Sequence, residues 1–160
     1  MHDITIRGAG IFGLCIAWAC VTRGAKVQVV DPNGPASGSS GGILGALAPH
    51  VPENWNAKKA FQLESLLMAK GFWADVDAAG GGNSGYARNG RLQPIADQNL
   101  LALAHARADT AMALWQDHAI WRVIPATGAV WQPATATGSL IHDTLSALIH
   151  PRQACASLVR

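Results

Sequence analysis

Charge is scarce in this chain of 160 residues. Asp, Glu, Lys and Arg make up 14% of it, and the formal net charge is +2. No run of basic residues exists, which argues against nucleic acid as a partner. Cysteine is scarce too: Cys15, Cys20 and Cys155 are an odd number without metal-ligand spacing. Neither a disulfide framework nor a metal centre is indicated. Buried free thiols are the simple reading of Cys15 and Cys20, and they suit a reducing cytoplasm. No apolar stretch is long enough to span a bilayer. Residues 8–21 have the hydrophobicity of a signal-peptide core, but they follow a strand and Asp3 and carry three glycines at fixed spacing. Six histidines (His2, His50, His105, His118, His142 and His150) form no metal motif, and no serine stands with a histidine as a nucleophile–base pair. Hydrophobic residues make up 49% of the chain, so it is globular rather than disordered.

What is present begins at once. Ile4-Thr5-Ile6 is a β-branched run that reads as a strand. It leads into Gly8-Ala9-Gly10-Ile11-Phe12-Gly13, a G-x-G-x-x-G turn, and then an apolar helical stretch over residues 14–21. Val27-Gln28-Val29-Val30 is a second strand, ending in Asp31. Strand, glycine turn, helix, strand and acid occur in the order of a dinucleotide-binding βαβ unit. Gly8 permits the tight turn, Gly10 lets a pyrophosphate approach the backbone, and Gly13 lets the helix pack closely on the sheet. The free N–H groups at the helix start face the phosphates. Asp31 is placed to accept hydrogen bonds from a ribose diol, and Pro32 beside it leaves no arginine for a 2′-phosphate.

Residues 32–42 are rich in glycine, serine and proline, as a flexible linker would be. The apolar Ile43-Leu44-Gly45-Ala46-Leu47-Ala48-Pro49 that follows is not what a linker needs. The alternative is a loop folded over a ligand, with backbone N–H groups pointing inward. Residues 54–79 read as a long helix with an apolar stripe of Phe61, Leu63, Leu66, Leu67, Met68 and Phe72, stopped by Gly80-Gly81-Gly82. Residues 86–95 carry a β-hairpin signal around Asn89-Gly90, with Arg88 and Arg91 facing solvent. Asp97 caps a helix over residues 99–116. Residues 120–124 and 129–132 are short strand candidates. Residues 139–142 and 145–150 read as a strand pair joined at Asp143-Thr144. His142-Asp143 is then a solvated turn pair rather than a general base. Pro151 opens a last helix.

These segments together resemble the flavin-dependent amine oxidoreductases typified by D-amino-acid oxidase and glycine oxidase, most of all the bacterial glycine-oxidase branch. The resemblance runs through the whole chain. It rests on the Gly8–Gly13 turn with Asp31, on Ala36-Ser37-Gly38-Ser39-Ser40-Gly41-Gly42-Ile43-Leu44-Gly45-Ala46, and on Asn89-Gly90-Arg91-Leu92 with the later His150-Pro151. It implies an α/β fold: a Rossmann-like FAD-binding βαβ unit with an inserted α+β substrate-domain portion built on an antiparallel sheet. Residues 1–82 would hold the βαβ unit, glycine-rich loop and long helix. Residues 83–150 would be the partial substrate domain, and residues 151–160 the start of a helix leading back. Members of that family are longer, so the sequence looks like an N-terminal portion of one.

The cofactor implied is FAD. Gly8, Gly10 and Gly13, with the N–H groups of Ile11 and Phe12, should meet its pyrophosphate, and Asp31, with Pro32 following, its adenosine ribose. Ala36 and Ser37 should lie near the phosphates and ribityl chain, and Gly41, Gly42 and Ile43 near the isoalloxazine ring. The resemblance implies an amine or amino-acid substrate oxidised at the carbon bearing nitrogen. The family's catalytic residues would lie outside this chain, so none is assigned here. A homo-oligomer or a separate C-terminal half stands as a further partner. An NAD-dependent dehydrogenase is the rival enzyme, and a non-catalytic nucleotide-binding fragment or half of a split protein is the rival from another class.

Overall fold

A computed structural model describes residues 1–160. The chain divides into two compact units. One comprises Met1–Ala46, Lys70–Ala87 and Leu148–Arg160, and the other Leu47–Ala69 and Arg88–Ala147. No helix is long and apolar enough to cross a membrane.

The first unit begins with β1 (Ile4–Arg7), α1 (Ile11–Val21) and β2 (Val27–Val30). The two strands pair in parallel, Ile4 opposite Val27 through Arg7 opposite Val30. Parallel pairing demands a crossover, and α1 supplies it. Thr22 and Arg23 end α1 by returning their N–H groups to Trp18 and Cys20 carbonyls, and the chain turns at Gly24 with φ +88°. A small core of Ala9, Leu14, Ala36 and Cys155 forms against this helix, with Val29 and Leu158 beside it. Cys15 and Cys20 are only partly buried and Cys155 is the fully enclosed thiol, so the expectation of two buried helix thiols is corrected. The reason is geometric: α1 turns Leu14 inward, leaving Cys15 at its flank and Ile16 exposed.

Near β2's end the chain enters the glycine-rich loop, which holds one 3₁₀ turn at Ser39–Gly41, then β3 (Gly45–Leu47). α2 (Ala57–Gly80) follows and ends where Gly81 takes φ +59°. Its stripe is only partly core. Leu66, Ala69, Trp73 and Val76 are buried, whereas Phe61 and Met68 are exposed. The buried side chains follow the i, i+3, i+7, i+10 rows of one helix face, and Phe61 and Met68 lie off it. Trp18, Phe72 and Trp73 stack edge-to-face in sequence.

The second unit holds β4 (Arg91–Pro94), α3 (Gln98–Trp115), β5 (Trp121–Pro125) and β6 (Ser139–Asp143). Asp97 caps α3 as expected, its carboxylate accepting from the Leu100 N–H at 2.8 Å. The sheet order is β4-β6-β5, both pairs antiparallel. Its core is Leu66, Ala111, Trp115, Ala119, Trp121 and Leu145, with the two tryptophans edge-to-face.

Three local expectations fail here. Asn89-Gly90 does not join a hairpin: β4 pairs with β6, while Ala87 bridges Leu148 alone. Gly90 instead donates its N–H to the Ser146 carbonyl and passes against the Asp143 backbone, too close for any side chain. Residues 139–150 are not a hairpin either, because β7 (Ala147–Ile149) pairs with β3. Asp143 turns the chain between them, accepting from the N–H groups of Leu145 (3.2 Å) and Ser146 (2.7 Å) and the Ser146 hydroxyl (3.0 Å). Residues 129–132 form a turn rather than a strand, with Val130 and Trp131 exposed.

The surrounding side chains follow. Asp143 is fully buried and paired with Arg91 at 3.2 Å, so His142-Asp143 is neither a solvated pair nor a proton-transfer dyad. Arg88 donates to the Thr144 carbonyl at 2.8 Å and the His118 carbonyl at 2.7 Å rather than facing solvent. His150 caps α4 (Pro151–Val159), with Pro151 at its start as the sequence indicates.

Candidate functional site

The site is built where the first unit folds two glycine-rich segments onto each other. β1 delivers Gly8, whose φ of +103° turns the chain out of the sheet. Gly13 sits one turn into α1, where an added Cβ would run into the Gly8 carbonyl. Only glycine lets the helix start this close to the strand end. Phe12 and Gly13 precede the first helical bond, from the Leu14 N–H to the Gly10 carbonyl at 3.0 Å. Their N–H groups therefore lack helical acceptors and stand at the positive end of α1. Above Gly8 the backbone is bare, and a Cβ there would meet nothing within 4 Å.

Asp31 closes the turn from β2. Its carboxylate accepts from the Ala9 N–H at 2.9 Å and the Asn33 N–H at 2.9 Å. These backbone donors, with Gly34's as the weakest, hold its carboxyl below the ordinary value of 3.8. The acid thus arrives ionised and oriented beside the glycine turn.

The second loop is pinned to the first. Ala36 is buried in the left-handed region at φ 56° and donates its N–H to the Ala9 carbonyl at 3.0 Å. Such a conformation in a non-glycine residue costs about 1 kcal/mol or more, and it persists because the surrounding contacts fix it. Ser40 Oγ accepts the Ile11 N–H at 3.0 Å, so one of the N–H groups expected at phosphate is already engaged within the chain. Arg152 on α4 donates from Nε (3.2 Å) and Nη2 (2.6 Å) to the Gly41 carbonyl. Gly41 itself fits because a Cβ there would lie 2.6 Å from the Ala36 carbonyl oxygen. Ser37, Gly42 and Ile43 are exposed on the loop, as are Phe12 and Pro32.

The structure therefore brings Gly8, Gly10, Ile11, Gly13, Asp31, Ala36 and Gly41 into one assembly, tied by the Ala9–Asp31, Ala36–Ala9 and Ile11–Ser40 bonds. Sequence reasoning gave no role to Ala9, Ser40 or Arg152. Ser40 lay inside a loop already singled out, but nothing local distinguishes it from Ser39. Arg152 lies 111 residues from its acceptor and carries no local signal. In the same unit, burial pushes the Cys15 thiol up to about 11, with Cys155 adding to it, and burial likewise raises Cys155. Neither is an activated nucleophile. No group of three or more His, Cys, Asp or Glu is placed to hold a metal.

The parallel βαβ unit, the glycine turn at the helix start and the acid at the end of β2 define a dinucleotide-binding protein. Residues 3–160 match the family of FAD dependent oxidoreductases designated DAO, and the chain belongs to that family. Nothing in the comparisons supports the NAD alternative. Among solved structures, the chain is similar to L-amino acid deaminase from Proteus myxofaciens in complex with anthranilate, with a TM-score of 0.78 and 18% identity over 99% of this chain and 35% of that one. It is also similar to glycine oxidase from Geobacillus kaustophilus (TM-score 0.75, 15% identity, 98% of this chain and 43% of that one). Iminodiacetate oxidase from Chelativorans sp. BNC1 is a third (TM-score 0.71, 21% identity, 99% and 43%). By sequence, 76 residues are 31% identical to the tRNA 5-methylaminomethyl-2-thiouridine biosynthesis bifunctional protein MnmC of a Psychrobacter species, covering 48% of this chain and 10% of that protein. The chain thus spans well under half of each of these relatives.

Proposed function

We propose that this chain supplies the FAD-binding turn and loop of an oxidoreductase acting on the carbon–nitrogen bond of a small amine or amino acid. The observation that carries the reading is the Asp31 carboxylate 2.9 Å from the Ala9 N–H, which joins acid and glycine turn into one preformed cradle. The cradle fits an FAD pyrophosphate and ribose: bare backbone at Gly8, free N–H groups at Phe12 and Gly13, and an ionised acid at the next strand end. Gly8, Gly10, Phe12 and Gly13 would take the pyrophosphate, with the Ile11 N–H held instead by Ser40 Oγ, and Asp31 and Pro32 would take the adenosine side. Ala36 and Ser37 would lie along the phosphates and ribityl chain. Gly41, Gly42 and Ile43 would line the ring, with Ser40 and Arg152 holding that loop in place. Bound FAD supplies the hydride-accepting chemistry, and this chain binds and orients it. Catalytic residues are not assigned within this chain.

The relatives support the substrate class. Those of similar fold are named for amino acids or iminodiacetate, and the sequence relative for a methylaminomethyl group. All of these names contain a carbon–nitrogen bond. We assign the first unit to cofactor binding and the second to the substrate-domain portion. The free thiols suit a cytoplasmic protein.

Titration of FAD with the purified chain, read as quenching of flavin fluorescence, tests the assignment. Saturable quenching that Gly13→Ala abolishes is expected, because the new methyl would collide with the Gly8 carbonyl. Equal quenching by both proteins would refute the placement. Bleaching of the flavin by amino acids or amines, in a protein of the relatives' full length carrying this segment, tests the reaction.

A further inference from the structure

Asn-Gly occurs twice in the chain, at Asn33-Gly34 and at Asn89-Gly90. The dipeptide is chemically labile, because glycine leaves its backbone nitrogen unshielded beside the asparagine side-chain amide. Reaction needs more than the sequence: the side chain must turn freely, and the glycine nitrogen must be able to approach its Cγ. The fold treats the two copies differently. Asn33 is exposed in the turn just past Asp31, and its side chain makes no hydrogen bond within the chain. Gly34 takes φ +83°, and a Cβ there would meet nothing within 4 Å. Its N–H makes no backbone hydrogen bond and reaches the Asp31 carboxylate only as the weakest of that acid's backbone donors.

Asn89 is exposed too, but Gly90 is locked. Its N–H donates to the Ser146 carbonyl at 2.9 Å, and its backbone runs against the Asp143 carbonyl. That nitrogen cannot swing toward Cγ of Asn89 without parting from Ser146. Asn83-Ser84, a related pair, is held as firmly. Asn83 Oδ1 accepts the Gly85 N–H at 2.8 Å, and the Ser84 N–H donates to the Asp77 carboxylate at 2.8 Å. Of these three asparagines, Asn33 is the one whose side chain and following nitrogen are both left unlocked.

We propose that Asn33 is a site of spontaneous deamidation, which sets a second carboxylate beside Asp31 at the glycine turn. The Gly34 nitrogen, having given its proton to solvent hydroxide, attacks Cγ of Asn33. A C–N bond forms and closes a cyclic imide. The bond to the side-chain nitrogen breaks, and ammonia leaves with a proton from water. Water then opens the imide at either carbonyl, giving aspartate or isoaspartate. No electrons are transferred, and water is the only co-reactant. Both products add a negative charge two residues from Asp31, whose Oδ1 accepts the Asn33 N–H at 2.9 Å. Isoaspartate also lengthens the backbone shortly before Ala36, whose N–H ties the loop to the Ala9 carbonyl. The new charge opposes Asp31 and opposes a bound pyrophosphate. That effect on the pyrophosphate rests on the FAD reading; the modification does not.

The test is incubation of the 160-residue chain in mildly alkaline buffer, folded and in urea, followed by peptide mass spectrometry that resolves isoaspartate. In the folded chain, conversion at Asn33 is expected to outpace that at Asn89 by about tenfold or more, since Asn89 must wait for a local opening. In urea the two should convert at similar rates, because each is then followed by an unrestrained glycine. Equal conversion of the two in the folded chain, or an Asn33 that stays unmodified there, would overturn the proposal. The consequence is read by flavin fluorescence titration. Ageing should weaken FAD binding about threefold or more in the original chain, and leave Asn33→Gln with the affinity it had when fresh. An equal loss on ageing in Asn33→Gln would break the link between the modification and the cradle. A fresh chain that binds no FAD would count against the cofactor reading alone, and the peptide map would still decide the modification.

Discussion

Two aspartates show how differently one residue type is used in this chain. Asp31 is partly exposed and receives two backbone N–H groups, from Ala9 and Asn33, so it orders the glycine turn before any ligand arrives. An amide cannot accept from both at once: its NH₂ end would face a backbone donor. Asp31→Asn is therefore expected to weaken FAD binding about tenfold in a fluorescence titration. Asp143 is wholly buried and holds four donors: Arg91, the Leu145 and Ser146 N–H groups and the Ser146 hydroxyl. Removing it leaves the Arg91 guanidinium and two buried N–H groups without their acceptor. Asp143→Ala should cost on the order of 3 kcal/mol, seen as a lower urea midpoint. The residue types alone gave Asp31 its place, because it follows a strand at the spacing of a known unit. They gave Asp143 the wrong surroundings, because nothing within five residues reveals that Arg91 will lie opposite it.

Elements were legible where their signals are local. α1, β2, α3 and α4 carry their own starts: a glycine turn, a β-branched run, an Asp97 cap and a proline at the first helical position. The Asp97 cap predicts its own test. Asp97→Ala should destabilise α3 by about 1 kcal/mol, measured by thermal or urea unfolding, while Asp97→Ser should retain most of the stability. Strand partners were not legible. Asn89-Gly90 is a strong hairpin dipeptide, yet the residues before it bridge β7 and those after it pair with β6. A turn propensity of a few tenths of a kcal/mol yields to a three-stranded sheet that buries Leu140 and Trp121 completely or nearly so. The apolar run after the glycine loop set it apart from a linker, but its anchors were not legible. Arg152 clamps it from a helix 111 residues away, so Arg152→Leu should raise hydrogen exchange at residues 38–43 without altering α3.

For the molecule as a whole, acid stability follows from the ionised carboxylates. Glu53 is held below its ordinary 4.5 by hydrogen bonds from Arg107, at 2.7 and 2.9 Å. Asp31 is also lowered. Asp77 is pushed up by burial but brought below 3.8 overall by the Ser84 N–H and the Ser84 hydroxyl, each 2.8 Å from its carboxylate. A carboxylate whose folded value is depressed stabilises fully above its unfolded value and loses that contribution as pH falls through the folded one. The urea midpoint should therefore hold steady down to about pH 4.5 and then fall, and Glu53→Gln should flatten the first part of that fall. Added salt should shrink the Glu53 share, since that pair is solvent-accessible.

By itself the sequence determined the βαβ unit, the glycine turn with Asp31 at the strand end, and the helix starts. Each rests on sterics and hydrogen bonds between residues close along the chain, or on a spacing that the strand–helix–strand crossover imposes. Tertiary structure alone decided the strand order β4-β6-β5, the burial of Asp143 and the Arg152 clamp. Those depend on pairings made across tens of residues, where loop-closure entropy changes only slowly with length and burial chooses among many partners. The glycine turn at Gly8–Gly13 could be read before the chain was folded; the pairing of Arg91 with the buried Asp143 exists only because it was.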